Sequence, residues 1–213
     1  LSLASKHDFI AGVVGWVDMD NPDAALADLD RFHNNPRFLG VRPMIQDIAD
    51  RDWMLRDNLT PIFEKLIKLN LRFDALVLPA HLENLRLLLE RHPQLQCVID
   101  HGAKPAIATA VWQPWADNMA ALASQTNCYC KLSGLLTEAG ARTDDDALRP
   151  YVAHLLACFG AQRLMWGSDW PVLTLASDYS AWLQQSERLL QHLPDAEQAA
   201  IFGGTAKTFY GLK

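Results

Sequence analysis

The 213-residue chain is short of several things, and each shortage removes a class of function. No apolar run reaches the roughly eighteen residues that a membrane span requires, so no membrane-bound role is expected, and no secretory leader is visible. Positive charge is scarce, with 19 Lys and Arg against 25 Asp and Glu and a formal net charge of −6. Phosphate contacts need clustered Lys and Arg, so nucleic acid is not an expected partner. Cysteine is limited to four residues, too few for a disulfide framework. Cys97, Cys128 and Cys130 lie inside apolar strand-like runs, which suits reduced thiols and a cytoplasmic location. Cys128-x-Cys130 lacks the spacing and the partner pair of a zinc site. No Gly-rich loop follows any strand, so the usual support for a nucleotide-binding sheet is missing. No His-x-His occurs anywhere.

What is present is strict alternation. The apolar run Ile10–Asp18 reads as a strand, and Asn21-Pro22-Asp23 opens a helix with apolar residues at Ala24, Leu26, Leu29 and Phe32. Phe38–Ile45 is the next strand, with Arg42 near its end, and Thr60-Pro61 opens a helix with Ile62, Phe63, Leu66, Ile67 and Leu69 at the 3.6 period. The strand Arg72–Leu78, the helix Leu82–Arg91 and the strand Cys97–Gly102 follow. After them come the helix Ala116–Ser124, the strand Asn127–Gly134, the helix Asp144–Phe159 and the strand Arg163–Ser168. Tyr179–Leu190 and Ala196–Gly211 read as closing helices. Roughly thirty residues per strand–helix unit is the signature of a parallel α/β fold. Without a phosphate loop, a (β/α)₈ TIM barrel is favoured over a doubly wound sheet, with residues 1–213 as one domain. A complete barrel takes about 250 residues. The chain starts on Leu1 inside a stretch that reads as a helix (Leu3 to Phe9), so the barrel is expected to be incomplete, lacking about two N-terminal βα units.

In such folds the chemistry sits past the C-terminal ends of the strands. Two strands end on ionisable residues, Cys97-Val-Ile-Asp100-His101 and Leu164-Met-Trp-Gly-Ser-Asp169. Along Asn127–Gly134, alternation puts Tyr129, Lys131 and Ser133 on one face and Cys128, Cys130 and Leu132 on the apolar one. A buried lysine needs an anion, so Lys131 either holds a substrate oxygen or snorkels to the rim. Asp18 and Arg42 form an ion pair or bind substrate, and Asp74, which interrupts an apolar strand, also needs a partner such as Arg42. His33, His92 and His154 lie in helical or helix-ending contexts, whereas His81 and His101 each follow an apolar strand. With Asp169 those two make a histidine–carboxylate set of the type that holds zinc with an open position for water. Trp53, Trp112, Trp115 and Trp170 are candidates to stack on a ring at the rim.

The ordered series Gly12–Asp18, Gly40-Val-Arg42, Val98-Ile-Asp-His-Gly-Ala-Lys-Pro105, Lys131-Leu-Ser-Gly134, Trp166-Gly-Ser-Asp-Trp-Pro171 and Phe202–Gly211 resembles the amidohydrolase-related hydrolases. Within them it resembles the sugar-lactone hydrolases of the L-fuconolactonase and L-rhamnonolactonase type. The resemblance runs nearly end to end. It implies a TIM barrel that opens the lactone of a sugar acid, or a similar cyclic ester, by water attack at the barrel mouth. It also implies His101 as a metal ligand or carbonyl polariser and Asp169 as the base that takes a proton from water. Arg42, Lys131, Asp74 and Trp170 would meet the substrate, and His81, His101 and Asp169 would hold a divalent metal, zinc by analogy. Two features depart from the pattern: the strand bearing His-x-His is absent, and Pro43 stands where many relatives carry histidine. The loss of two strands predicts a poorly active chain. Other readings are a decarboxylase or amide hydrolase on the same barrel, a non-catalytic binder of sugar acids, or an inactive remnant, and a homo-oligomer is left open.

Overall fold

A computed structural model of the chain describes residues 1–212. Six parallel strands form one sheet in sequential order: β1 (Val13–Gly15), β2 (Phe38–Val41), β3 (Arg72–Ala75), β4 (Cys97–Ile99), β5 (Tyr129–Leu132) and β6 (Leu164–Trp166). The helices are α1 (Pro22–His33), α2 (Thr60–Lys68), α3 (Leu82–Arg91), α4 (Trp115–Gln125), α5 (Asp145–Phe159), α6 (Tyr179–Leu190), α7 (Asp195–Ala199) and α8 (Thr205–Tyr210). The sheet curls, because Val14 of β1 and Met165 of β6 line one cavity although they sit on opposite edge strands. Among the described residues β1 and β6 each pair on one side only, so the barrel is not closed.

Local chemistry explains where the helices start. The side chains of Asn21, Asp144 and Asp178 accept hydrogen bonds from the amides of Ala24, Ala147 and Ala181. Each such cap satisfies an orphan amide and is worth about 1 kcal/mol. The convex face of the sheet packs under the helices through Val41, Phe73, Ala75, Cys97, Ile99, Cys130, Leu132 and Leu164. The concave face is different. Val98, Met165 and Phe209 form a small apolar cluster there, with Tyr129, Ala206 and Tyr210 against it. Phe209 belongs to α8, and its ring lies 4.7 Å from that of Tyr129, while its carbonyl accepts from Arg72 Nε at 2.7 Å. Helix α8 thus plugs the N-terminal end of the curled sheet. Gly40 is required in β2, since a Cβ there would stand 2.2 Å from the Arg72 carbonyl oxygen of the neighbouring strand.

Several boundaries differ from the expectation. Residues Leu3 to Phe9 form turns and not a helix. Leu3 and Phe9 are 67% and 85% exposed, so that stretch has no apolar stripe to dock. The first strand keeps only Val13–Gly15 of Ile10–Asp18, because it is an edge with one partner and an irregular register after Val13. Ala24 faces solvent, and Ala25 takes its place in the core. The closing helix is broken into α7 and α8 by a wide turn at Ala200–Gly204, where Gly203 leaves the helical conformation.

Candidate active site

Strand β4 stops at Ile99, and from His101 the chain turns left-handed. His101, Gly102, Ala103 and Lys104 have φ of 55°, 56°, 59° and 52°. Three of the four carry a Cβ, and left-handed residues of that kind cost roughly 1–2 kcal/mol each, so the surroundings must hold the turn. Trp115 Nε1, from α4, donates to the Gly102 carbonyl at 2.7 Å. The turn after β6 is built similarly. Asp169 has φ 58°, and Trp182 Nε1, from α6, donates to the Gly167 carbonyl at 3.0 Å. Two buried indoles therefore pin the two strained turns that carry the candidate histidine and carboxylate.

Those two side chains meet. His101 Nε2 lies 3.5 Å from Asp169 Oδ1, and both line a cavity of about 500 Å³ with Arg42, Lys131, Ser133 and Trp170. On its other side His101 Nδ1 is 2.8 Å from Ser133 Oγ, which orients the ring. Gly134 follows at φ 65°, and a Cβ on it would lie 2.7 Å from His101 Cβ. Burial lowers the His101 pKa, and Asp100 and Asp169 only partly offset this, so the site favours the neutral ring. Burial also raises Asp169 above the usual aspartate value, against the opposing pull of His101, Lys104 and Arg42.

Beneath the cavity lies a charged cluster. Lys131 Nζ is 2.6 Å from Asp74 Oδ2 and 2.7 Å from Asp100 Oδ1, and Arg42 Nη1 is 3.5 Å from Asp100 Oδ2. Tyr210 donates its hydroxyl proton to Asp74 Oδ2 at 2.7 Å. Asp74 and Asp100 are 1% and 0% exposed, so two buried anions are balanced by two cations. Burial pushes Asp100 up, but Lys131, His101 and Arg42 together outweigh it and hold the carboxyl below its ordinary value. For Asp74 burial prevails over Lys131 and the carboxyl is raised. Burial disfavours the Lys131 ammonium, yet the two carboxylates hold its pKa well above normal.

The structure thus brings together His101, Asp169, Arg42, Lys131 and Trp170, and leaves out others. Asp74 does not line the cavity. Its partners are Lys131 and Tyr210 rather than Arg42. Arg42 pairs with Asp100, and Asp18 points to solvent. His81 is buried away from the cavity lining, its Nδ1 accepting from the Leu78 amide at 3.1 Å. The three-ligand set of His81, His101 and Asp169 is therefore not assembled, and no group of three or more His, Cys, Asp or Glu that could hold a metal occurs among the described residues. Of the four rim tryptophans, only Trp170 lines the cavity, 67% exposed. Trp53 and Trp115 are buried, and Trp112 packs on Trp115 and Tyr151. The supporting roles of Trp115, Trp182 and Tyr210 carried no local sequence signal beyond aromatic character.

A family model for amidohydrolases matches residues 2–212. The chain is 46% identical over 217 residues to an L-fucono-1,5-lactonase from Burkholderia ambifaria, a match covering all of this chain and 74% of that protein. An L-fucono-1,5-lactonase from Burkholderia multivorans is 35% identical over 225 residues, covering 100% of this chain and 75% of its own length. The crystal structure of an amidohydrolase from Burkholderia multivorans with bound zinc superposes with a TM-score of 0.91 at 34% identity, covering 100% of this chain and 77% of that one.

Proposed function

Since the chain belongs to the amidohydrolase family, we propose that it is a hydrolase opening a sugar-acid lactone of the fuconolactone kind by water attack at the barrel mouth. The observation that carries this reading is the convergence of His101 Nε2 and Asp169 Oδ1, 3.5 Å apart, on a cavity that Arg42 and Lys131 also line.

Asp169 takes a proton from water as the water oxygen bonds to the lactone carbonyl carbon. Its raised pKa makes it a better base than an ordinary aspartate. The carbonyl π electrons move onto oxygen, and that oxyanion is met by His101 and Arg42. A neutral ring that accepts from the Ser133 hydroxyl at Nδ1 carries its proton on Nε2, toward the cavity, and this is the tautomer the reaction needs. The bond from the carbonyl carbon to the ring oxygen then breaks, and Asp169 returns its proton to that oxygen, leaving an open hydroxy acid. Lys131 holds a substrate oxygen, and Trp170 offers an indole face to the sugar ring.

A divalent ion would find His101 Nε2 and the Asp169 carboxylate here. Two donors fall short of the three that a catalytic zinc usually takes, so the described residues do not by themselves fit the ion, and no step above runs through one. The free edges of β1 and β6 could accept two further βα units in an otherwise single domain, and a chain carrying them should turn over faster. Equal rates would refute that part. The four free cysteines support a cytoplasmic location.

The test is a lactone panel read by acid release, with Asp169→Asn beside the parent. The variant should lose about 10²–10⁴-fold in kcat. Turnover that survives the substitution, or tight binding of sugar acids without turnover, would sink the assignment.

A further inference from the structure

Asp74 and Tyr210 take no part in the chemistry above, although they sit directly beneath it. Lys131 has three ammonium protons. One is donated to Asp74 Oδ2 and a second faces Asp100 Oδ1 across a 2.7 Å ion pair, which leaves the third for the cavity that Lys131 lines. The aim of that third proton depends on both carboxylates staying in place. Asp100 is held by Arg42 as well as Lys131. Asp74 has no second cation: its Oδ1, like both Asp100 oxygens, has no hydrogen-bond partner, and its Oδ2 takes both Lys131 and the Tyr210 hydroxyl. Among the described residues Tyr210 is thus the one neutral donor to the Asp74 carboxylate, favouring its charged form and its orientation. We propose that Tyr210 is a positioning residue, whose hydroxyl holds Asp74 so that the Lys131 ammonium stays shared between two carboxylates and directed at bound substrate. This rests on the reading of Lys131 as a substrate-binding residue.

The groups facing Asp74 are Lys131 of β5, Asp100 past β4, Cys97 of β4 and Tyr210 of α8. Tyr210 itself faces Arg72, Lys131 and Asp100 besides Asp74. Burial and the adjacent Asp74 charge push the phenol pKa upward, so the hydroxyl remains a donor throughout any practical assay. Helix α8 is anchored separately, by Phe209 on Tyr129 and by Arg72 on the Phe209 carbonyl. Loss of one phenolic oxygen should therefore leave the helix docked.

A hydrogen bond to the charged form of a carboxyl favours that form, so its removal raises the pKa. Tyr210→Phe should move Asp74 protonation up by about one unit, with a rise of roughly tenfold in KM at the acid end. The gap should narrow as pH rises, with kcat changed much less than KM. Asp74→Asn, which mimics the neutral carboxyl, should show the raised KM at every pH. A pH-independent loss shared between kcat and KM in Tyr210→Phe, or an unchanged KM in Asp74→Asn, would overturn the proposal. The protonated-carboxyl infrared band that disappears in Asp74→Asn gives a second reading without turnover. An upward shift of its titration in Tyr210→Phe supports the proposal and an unmoved titration refutes it, whereas failure of the parent to hydrolyse any lactone counts against the proposed reaction alone.

Discussion

Replacing Gly134 by alanine tests whether the position of His101 controls the rate. The added Cβ would stand 2.7 Å from His101 Cβ, Cγ and close to Nδ1, where ordinary contacts begin at 3.4 Å. The ring must give by about 0.7 Å, and it has little room, since Ser133 holds Nδ1 on the same side. A misplacement near 1 Å in a catalytic constellation costs on the order of 10²-fold, so kcat/KM for the lactone should fall by roughly 30–100-fold. The substitution also puts a Cβ at φ 65°, which destabilises the fold by about 1–2 kcal/mol. Gly160→Ala separates the two effects. Gly160 sits at φ 63° at the end of α5, with nothing within 4 Å of its would-be Cβ. It should show the same order of stability loss with parental kinetics. Steady-state acid release and thermal melting of the three proteins decide the matter. Gly134→Ala with parental kcat/KM, or Gly160→Ala with an equal loss, would refute a role for His101 placement.

Two further outcomes follow from the same geometry. Asp169 must be ionised to accept a proton, so the rate should fall as pH drops through its pKa, which lies above the usual aspartate value. Lys104 pulls that pKa down, so Lys104→Gln should move the acid limb of kcat/KM to higher pH, and a downward or absent shift would contradict the assignment of Asp169 as base. His81→Ala removes a buried ring and the acceptor for the Leu78 amide, and it should cost about 1–3 kcal/mol in unfolding free energy. Its kcat and bound metal content should match the parent, and loss of both together would put His81 back in the site.

Much of the architecture was readable from local pattern. The alternation of β-rich runs with 3.6-period helices is a short-range signal, and Pro22, Asp144 and Asp178 mark helix starts through interactions within four residues. The two strand ends bearing His101 and Asp169 were legible for the same reason, because parallel strands deliver their C-terminal residues to one side. Partners were harder to read. Lys131 finds Asp74 and Asp100 rather than the rim, and Asp74 finds Tyr210 at the far end of the chain. Periodicity says which face a side chain is on, and it says nothing about which residue of another strand or helix will face it.

The sequence alone determined the order of units, the inward face of β5 and the candidacy of His101, Asp169, Arg42 and Lys131, since these depend on repeats and strand ends. Only the tertiary structure decided that His101–Lys104 would run left-handed, that Trp115 and Trp182 would pin the two site turns, and that His81 would point elsewhere. The reason is energetic. A left-handed stretch containing His101, Ala103 and Lys104 is disfavoured by local sterics, so it persists only where distant side chains compensate.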